Sequence, residues 1–427
     1  YLGYHLLQEK YEQEHKEAEG METSWIYKMY NKIERPFLDS SPKRRLLLAV
    51  TVVLLFGSVL MFFTKSVVVK MLPFDNKNEF QVVIDMPEGT TLERTSAVTR
   101  EIAQYLATKP EVVNYQNYIG TSAPITFNGL VRHYDLRGGS NMADIQVNLL
   151  HKEDRDLQSH DIAKGMRAEI IKIGSKYNAN VKIVELPPGP PVLSTLVAEI
   201  YGPNYAQQIA IGKQVKALFT KTQDVVDADW MVEDDEMEYK ILVDKEKAMQ
   251  HGVVTAQISA LVNGALSGMI AGNISQPNSF SQIPVRLQLK DADKTSIEDI
   301  LSLNVVGIQG NMVPLRDVVK VKSVLKDKSI YRKNQKEVVY VMADMAGKLE
   351  SPFYAISKMS DSLKNIIMPS GYVLNEEYSK QPTELDKYSL KWDGEWQITL
   401  EVFRDLGIAF LVVILIIYML IVGWFQN

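Results

Sequence analysis

An apolar stretch at residues 46–63 (LLLAVTVVLLFGSVLMFF) constrains this chain more than any other feature of its sequence. It contains no charged residue, and Lys43, Arg44 and Arg45 directly precede it. A helix rises 1.5 Å per residue, so about 20 apolar residues cross a hydrocarbon layer of about 30 Å. Only a helix satisfies the backbone of a single segment in lipid. The stretch therefore predicts a membrane span over residues 43–65, with its basic end in the cytoplasm.

A second uncharged stretch, at residues 406–424, predicts a returning span over residues 405–425. Residues 66–404 then lie on the far side of the membrane. Before the first span, residues 1–42 are polar, and Trp25, Met29, Tyr30 and Ile33 recur at helical spacing. This pattern predicts a cytoplasmic amphipathic helix or linker along the membrane face, where membrane lipid is its partner. An ordinary soluble amphipathic helix is the alternative.

Composition excludes several classes of function. The net charge of −5 gives no basic footprint for nucleic acid. The absence of cysteine excludes disulfides, thiolate metal sites and cysteine nucleophiles. The six histidines lack metal-site spacing, and no GxSxG or P-loop motif is present, so we expect neither an enzyme nor a cofactor. Because the chain starts at Tyr1 without Met, we expect a fragment of a longer membrane protein.

Between the spans, strand and helix patterns recur in a fixed order. Alternation at residues 80–86, 112–119, 144–150 and 181–186 predicts strands, and helical spacing at 91–108 and 161–177 predicts helices. Together they form a βαβ-βαβ, or ferredoxin-like, unit. A proline run at residues 186–191 predicts a stiff connector.

The same order then starts again, which indicates an internal repeat. Strands are predicted at residues 197–201, 225–232, 338–344 and 372–376, with helices at 205–222 and 353–367. A smaller α+β insert at residues 234–326 interrupts this second unit. The fold class is therefore an α+β membrane protein, in which two transmembrane helices bracket two ferredoxin-like units. Residues 379–404 are predicted as a pre-membrane segment, to which the sequence assigns no role.

Other patterns have ordinary explanations. The acidic run at residues 233–236 lacks calcium-loop spacing and predicts a solvated turn. Neither span contains an ionisable residue, so any proton relay would use helices outside this chain. The loop at residues 118–134 mixes aromatic, apolar and glycine residues between two strands. It suits either capture of apolar ligands or an ordinary connection with buried anchors, and the residues alone do not decide between them.

Several stretches resemble the resistance-nodulation-division (RND) efflux permeases. Leu72-Pro-Phe-Asp75 and the following MPEGTTLERT resemble the segment that follows the family's seventh span. The stretches YKILVDKEKAMQHGV (239–253) and NMVPLRDV (311–318) resemble the start and end of the docking subdomain. In order and spacing, the chain looks like the second half of such a permease, from just before the seventh span to the eighth.

The resemblance implies an architecture. Residues 66–190 would be the first porter subdomain, residues 191–235 with 327–378 the second, and residues 236–326 the docking subdomain. It further implies a proton-driven homotrimer in the bacterial inner membrane, with residues 66–404 in the periplasm. Its partners would be the remaining half of the permease, a periplasmic adaptor and an outer-membrane channel.

The resemblance also implies substrate-binding residues. The family's switch loop corresponds to residues 118–128. Val197 and Glu199 correspond to positions near the cleft wall of the second porter subdomain. The implied residues are Tyr118, Thr121, Ile125, Phe127, Asn128, Met142, Asp144, Val197 and Glu199. The heavy-metal branch lines its cleft with three methionines, but here only Met142 falls at such a position, while Val83 and Val192 occupy the others. A soft monovalent metal prefers thioether ligands, so this count argues against that branch.

Two other functions remain open on the sequence. A two-span sensor with an extracytoplasmic ligand-binding domain has the same number of spans, but sensors continue into a signalling helix. A relative that moves lipids or assists secretion is less compatible with the docking-like insert.

Overall fold

The computed structural model describes residues 25–64, 66–67, 75–124, 127–185, 192–277, 280–347, 350–369 and 371–425. It is an α+β chain with two long apolar helices and two larger sheets. The predicted proline connector at residues 186–191 lies outside the described residues.

The helices α2 (Ser41–Phe63) and α12 (Glu395–Phe425) are long and apolar enough to cross a membrane. Their apolar side chains are exposed in the isolated chain, as expected of lipid-facing helices. Helix α12 begins ten residues before the predicted span, because residues 395–404 continue the helix without a break. Helix α1 (Trp25–Asp39) precedes α2 and leaves Trp25, Met29 and Tyr30 exposed.

The first unit, residues 79–184, has a four-stranded antiparallel sheet in the order β2-β3-β1-β4. Its strands are β1 (Glu79–Asp85), β2 (Val112–Thr121), β3 (Gly138–Leu149) and β4 (Asn180–Val184). Helices α3 (Leu92–Leu106) and α5 (Ser159–Ser175) contribute to one core with the sheet. Alternate apolar residues of β1 enter this core, namely Phe80, Val82 and Ile84. The period-two pattern therefore places Gln81, Val83 and Asp85 on the opposite face.

The second unit, residues 196–230 and 339–394, has a five-stranded sheet in the order β16-β17-β5-β15-β6. Its strands are β5 (Leu196–Tyr201), β6 (Val225–Trp230), β15 (Val339–Met345), β16 (Asn375–Glu377) and β17 (Ser389–Gly394). Helices α6 (Tyr205–Lys221) and α11 (Pro352–Leu363) share its core. Within it the rings of Phe219 and Trp392 stack with centroids 6.0 Å apart.

One strand lies elsewhere than the sequence pattern predicted. The strand expected at residues 372–376 is only the three-residue β16 at the sheet edge. The position beside β5 is taken by β17, which lies in the predicted pre-membrane segment. Leu390 and Trp392 of β17 enter the core, while Ser389, Lys391 and Asp393 alternate with them. Burial of two large apolar side chains explains why β17 is held inside the sheet.

The insert is a smaller α+β module between β6 and β15. Its elements are β7 (Met237–Val243), α7 (Lys245–Gln250), α8 (Thr255–Ser267), β8 (Met269–Ile274), β9 (Ile283–Leu287), α9 (Ile297–Leu301), β10 (Asn304–Val306), β11 (Met312–Pro314), α10 (Leu315–Val318) and β12 (Val319–Leu325). Strands β7 and β12 pair antiparallel over their whole length and return the chain to the second unit. A short hairpin, β13 (Arg332–Lys333) and β14 (Lys336–Glu337), then leads into β15.

The two units meet along the edges β4 and β6, and we call this contact the seam. The backbone N–H of Ile183 donates to Asp227 Oδ2 at 3.2 Å. Asp227 also forms an ion pair with Arg167 of α5. The seam therefore joins the units through side chains rather than by a continuous ladder of backbone hydrogen bonds.

Candidate functional site

A cavity of about 830 Å³ lies where the two units face each other. The first unit contributes residues from β1, β3, β4 and the connection between β2 and β3, which contains helix α4 (Phe127–Arg132). The second unit contributes residues from β6 and β15. A cavity with walls from two separate sheets can change its volume when the sheets move relative to each other.

The strand pattern explains which side chains reach the cavity. In β1, β3 and β4 the residues opposite the helix-facing core include Asp85, Met142 and Lys182. In β6 and β15 the equivalent positions include Asp229 and Asp344. Each strand thus buries one apolar face under its helices and turns a face of mixed polar and apolar residues toward the cavity.

Lys182 joins the two units within the cavity. Its Nζ lies 2.9 Å from Asp85 Oδ2 and forms a second ion pair with Asp229. Lys216 of α6 lies 2.9 Å from the other oxygen of Asp229. Burial lowers the pKa of Lys182, but the two carboxylates outweigh burial and raise it above its usual range. Burial likewise opposes the ionised form of Asp85, yet Lys182 and Arg137 lower its pKa to about 2.

Asp144, a predicted site residue, is fully buried beside this cluster. It pairs with Arg137 and accepts a hydrogen bond from the Ala123 backbone N–H at 2.9 Å. Burial raises the pKa of Asp144 above its usual value despite the nearby guanidinium. Arg137 also donates to the Ile84 carbonyl at 3.0 Å, so it anchors the start of β3 against β1.

Arg132 and Asp344 form a buried, bidentate ion pair between the units. Arg132 Nη1 lies 2.9 Å from Asp344 Oδ2, and Nη2 lies 3.3 Å from Oδ1. Asp344 Oδ1 also accepts from Ser194 Oγ at 2.7 Å and from the Thr195 backbone N–H at 3.2 Å. Burial opposes ionisation, but Arg132 and these donors hold the pKa of Asp344 well below its usual range.

Glu199 lies on β5 in a separate buried cluster. Tyr201 donates its hydroxyl to Glu199 Oε2 at 2.9 Å, and Lys391 Nζ lies 3.4 Å from the same oxygen. Lys333 pairs with both Glu199 and Asp393. Burial, followed by the neighbouring Asp393, raises the pKa of Glu199 to about 7. The cluster connects β5, β17 and the β13–β14 hairpin.

The structure brings only some of the predicted site residues to the cavity. Met142 lines it, whereas Asp144 lies behind it and Val197 and Glu199 are fully buried away from its lining. Tyr118 and Thr121 lie on β2 outside the lining, and Tyr118 donates its hydroxyl to Gln116 Oε1 at 2.6 Å. Ile125 lies outside the described residues, as do the side chains of Phe127 and Asn128. The roles of these residues in substrate binding stay predictions.

Sequence reasoning missed several residues that line the cavity. Besides Met142, three further methionines contribute to its wall: Met86, Met231 and Met342. Met342 pairs with Val197 across β5 and with Asp229 across β6. The sequence pattern that could have identified Met342 is the alternation in β15, where Tyr340, Met342 and Asp344 share one face.

Four of the seven described carboxylates that line the cavity form ion pairs with cations, namely Asp85, Asp227, Asp229 and Asp344, and the other three are Glu88, Glu233 and Asp234. Among the described residues, no group of three or more His, Asp or Glu side chains is placed to hold a metal ion. The thioethers of Met142, Met231 and Met342, which are partly exposed, are soft, polarisable ligands, whereas Met86 also packs into the core of the first unit. Aromatic rings also line the wall: Tyr134, Trp230, Tyr331 and Tyr340. The cavity therefore combines thioether sulfur and aromatic surface with several acidic side chains.

Comparison with solved structures identifies the fold. A heavy metal efflux pump, solved in two crystal forms, superposes with TM-scores of 0.70 and 0.69 at 16% and 14% sequence identity. The superpositions cover 94% of this chain and 38% and 39% of the pump chain. At such low identity the likeness shows the fold alone.

Two curated relatives match part of the sequence. They are the nickel-cobalt-cadmium resistance protein NccA of Alcaligenes xylosoxydans xylosoxydans and the nickel and cobalt resistance protein CnrA of Cupriavidus metallidurans. Each is 22% identical over 160 residues, which is 37% of this chain and 15% of the relative.

A sequence model of the AcrB/AcrD/AcrF family matches residues 4–390. This match covers nearly the whole chain, whereas the chain spans well under half the length of each relative named above. The chain therefore belongs to the AcrB/AcrD/AcrF family of resistance-nodulation-division permeases.

Proposed function

We propose that this chain is the second half of a proton-driven efflux permease that captures its substrate in the cavity between the two units. The observation that carries the proposal is the origin of the cavity walls, which belong to two different sheets. Relative movement of the units would alternately admit and expel a ligand. The protein is then a transporter rather than an enzyme, and family membership gives no support to a two-span sensor.

The family architecture supports assigning the parts. The first unit is the first porter subdomain, the second unit is the second, and the insert is the docking subdomain. The second porter subdomain extends to Gly394 rather than to residue 378, because β17 belongs to its sheet. The chain would work as a homotrimer in the bacterial inner membrane, with residues 66–404 in the periplasm. An adaptor and an outer-membrane channel would complete the export path.

The substrate class that we favour is a thiophilic heavy-metal ion. Four methionines line one cavity, which weakens the sequence argument based on Met142 alone. The relatives named above are metal resistance proteins and a heavy metal efflux pump. Asp85 and Asp344 are held in ion pairs, and the thioether sulfurs of the wall are ligands that prefer soft monovalent ions.

An organic amphiphile is the second candidate. The cavity volume of about 830 Å³ lies within the range of pockets that hold drug-sized molecules. Its aromatic side chains and apolar residues such as Leu136 and Leu193 provide the surface that such a ligand needs.

Efflux from cells that express the complete permease tests these candidates. Met142→Leu with Met342→Leu removes two thioethers while conserving volume, a change that cores tolerate. We expect silver(I) efflux to fall about tenfold, since loss of the two thioethers would weaken binding of the ion by about 1.4 kcal/mol. The matched control is Met249→Leu, at an exposed methionine of the insert. Unchanged silver(I) efflux with impaired export of a cationic dye would overturn the metal substrate and favour the amphiphile.

A further inference from the structure

The β13–β14 hairpin packs against part of the segment before β17, to which the sequence assigned no role. Gln381 accepts a hydrogen bond from Asn334 Nδ2 at 2.8 Å and donates one to the Lys333 carbonyl at 3.0 Å. Neither the hairpin nor the segment is a strand of the five-stranded sheet. We call residues 332–337 together with 381–385 the flap, because they form a separate layer on the second unit.

The flap lies over the face of the second sheet that is opposite its helices. Val197, Tyr201 and Tyr340 are buried on this face in an apolar cluster, and Leu385 of the flap packs against that cluster. Glu199 lies between Val197 and Tyr201 on the same face of β5 and is fully buried. The flap therefore shields a carboxyl group from water.

Two acidic and two basic side chains meet beneath the flap. The charged and titratable groups that face Glu199 come from β5, β15, β17 and the hairpin, and they are Tyr201, Tyr340, Lys391, Asp393 and Lys333. Lys333 pairs with both acids, and Lys391 Nζ lies 3.4 Å from Glu199 Oε2. Glu199 and Asp393 also share a hydrogen bond, which two carboxyl groups can form only when one of them carries a proton. The closed cluster therefore holds a proton between two acids.

This proton binds more tightly under the closed flap than it would in water. Burial, followed by Asp393, raises the pKa of Glu199 to about 7, although Lys391 and Lys333 lower it. If the flap opens, water reaches Glu199 and its pKa returns toward the value of about 4.3 for an exposed glutamate. Protonation therefore favours the closed flap. Between these two pKa values, the ratio of closed to open flap falls by up to about tenfold for each unit of rising pH.

We propose that Glu199 and Asp393 form a proton-binding site that holds the flap closed, so that acid favours the closed flap and a rise in pH favours its opening. The site lies outside both candidate membrane helices, and neither acid lines the cavity. Opening would loosen the return of the chain from the insert, because the hairpin lies between β12 and β15. That the flap responds to periplasmic pH rests on the proposed function, whereas the proton site itself is a property of the fold.

Hydrogen–deuterium exchange of the purified complete permease tests the site. Protection factors compare each amide with unfolded peptide at the same pH, so they remove the intrinsic pH dependence of exchange. The hairpin peptide includes the Val338 N–H, which donates to the Tyr331 carbonyl at 3.0 Å. We expect its protection factor to fall about tenfold between about pH 5.5 and pH 7. The α6 helix should keep a constant protection factor, and a parallel fall there would overturn the proposal, because unfolding of the whole unit would then explain the exchange.

Three variants identify the groups that bind the proton. Glu199→Gln keeps the size of the protonated side chain but cannot ionise, so protection of the hairpin should stay high and independent of pH. Asp393→Asn removes the neighbouring carboxylate, which lowers the pKa of Glu199 and should reduce the fall in protection. The matched control is Glu384→Gln, at an exposed glutamate of the flap, which should behave as the parent.

Equal pH dependence in the parent, Glu199→Gln and Asp393→Asn would overturn the proton site. If Glu199→Gln does not fold, the comparison of Asp393→Asn with Glu384→Gln decides in the same way. Exchange is measured on purified protein in detergent, so its outcome depends on neither the substrate nor the location proposed above. Failure of the proton site is thereby distinguished from failure of the proposed function.

Discussion

Glu199 and Asp393 place two carboxyl groups in one buried cluster with Lys333 and Lys391. Burial and Asp393 raise the pKa of Glu199 to about 7. Burial opposes ionisation of Asp393 too, but hydrogen bonds from Glu199 and Lys333 lower its pKa to about 2. The two groups therefore affect stability in different pH ranges.

Glu199→Gln is expected to flatten the pH dependence of stability between about pH 4.5 and pH 7. In this range the folded parent holds a proton that the unfolded chain has released, so its free energy of unfolding falls as pH rises. The effect is on the order of 1–3 kcal/mol. Denaturant unfolding of the purified chain at several pH values measures it, and parallel curves for parent and variant would contradict the shifted pKa.

Lys182→Met is expected to destabilise the chain by about 3–5 kcal/mol, because it leaves the buried carboxylates of Asp85 and Asp229 short of a cation. The control is Lys172→Met, since Lys172 is exposed and its pair with Glu169 contributes at most about 1 kcal/mol. The difference in unfolding midpoints measures the effect. Equal midpoints would show that the seam does not depend on Lys182.

At the scale of elements, β17 shows how a strand near a membrane span can belong to a distant sheet. It lies beside β5, from which it is separated in sequence by the insert and by β15. The stacking of Trp392 on Phe219 joins it to α6. The second unit is therefore completed only by the last strand before α12.

Trp392→Ala is expected to reduce the free energy of unfolding by about 3–5 kcal/mol, since its side chain is fully buried in the core of the second unit. Phe280→Ala, at an exposed aromatic of the insert, should change it by less than about 0.5 kcal/mol. Thermal unfolding followed by circular dichroism gives both values. A small effect of Trp392→Ala would mean that residues 379–394 act only as a tether.

Much of the element order followed from periodicity alone, because the strands around Val82 and Ala198 alternate regularly and the helices have clear apolar faces. The location of β17 did not follow, although Leu390 and Trp392 alternate with polar residues. Lys391 and Asp393 are tolerated in a buried strand only because Glu199 and Lys333 neutralise them. Pairing between residues so far apart in sequence is tertiary information.

The lining of the cavity also depends on pairing between residues that are far apart in sequence. Met142 was predicted by its position in the resemblance, but Met231 and Met342 reach the same wall through the pairing of β6 with β15. Only a register between strands more than a hundred residues apart brings these side chains to one space. The sequence supports the presence of a cleft between repeats and leaves its lining undetermined.

At the scale of the whole molecule, two helices that are long and apolar enough to cross a membrane flank the units and the insert. The basic residues at the start of α2 predict that its first turn faces the cytoplasm. Lys152→Cys, in the first unit, is expected to react with a membrane-impermeant maleimide added to intact spheroplasts. Lys43→Cys, in the first turn of α2, should react only after lysis. The reverse pattern would contradict the proposed periplasmic location.

Helix α12 begins at the residue that follows β17, with only Gly394 at the junction, where φ is 78°. A Cβ at Gly394 would lie 2.5 Å from the Ser194 carbonyl oxygen, so the junction is closely packed. With 31 residues, α12 is about 46 Å long and exceeds the hydrocarbon thickness by about 16 Å. Because the junction is direct and closely packed, the rotation of α12 about its own axis is fixed relative to the sheet. One residue inserted between them would rotate every membrane-facing side chain by about 100°.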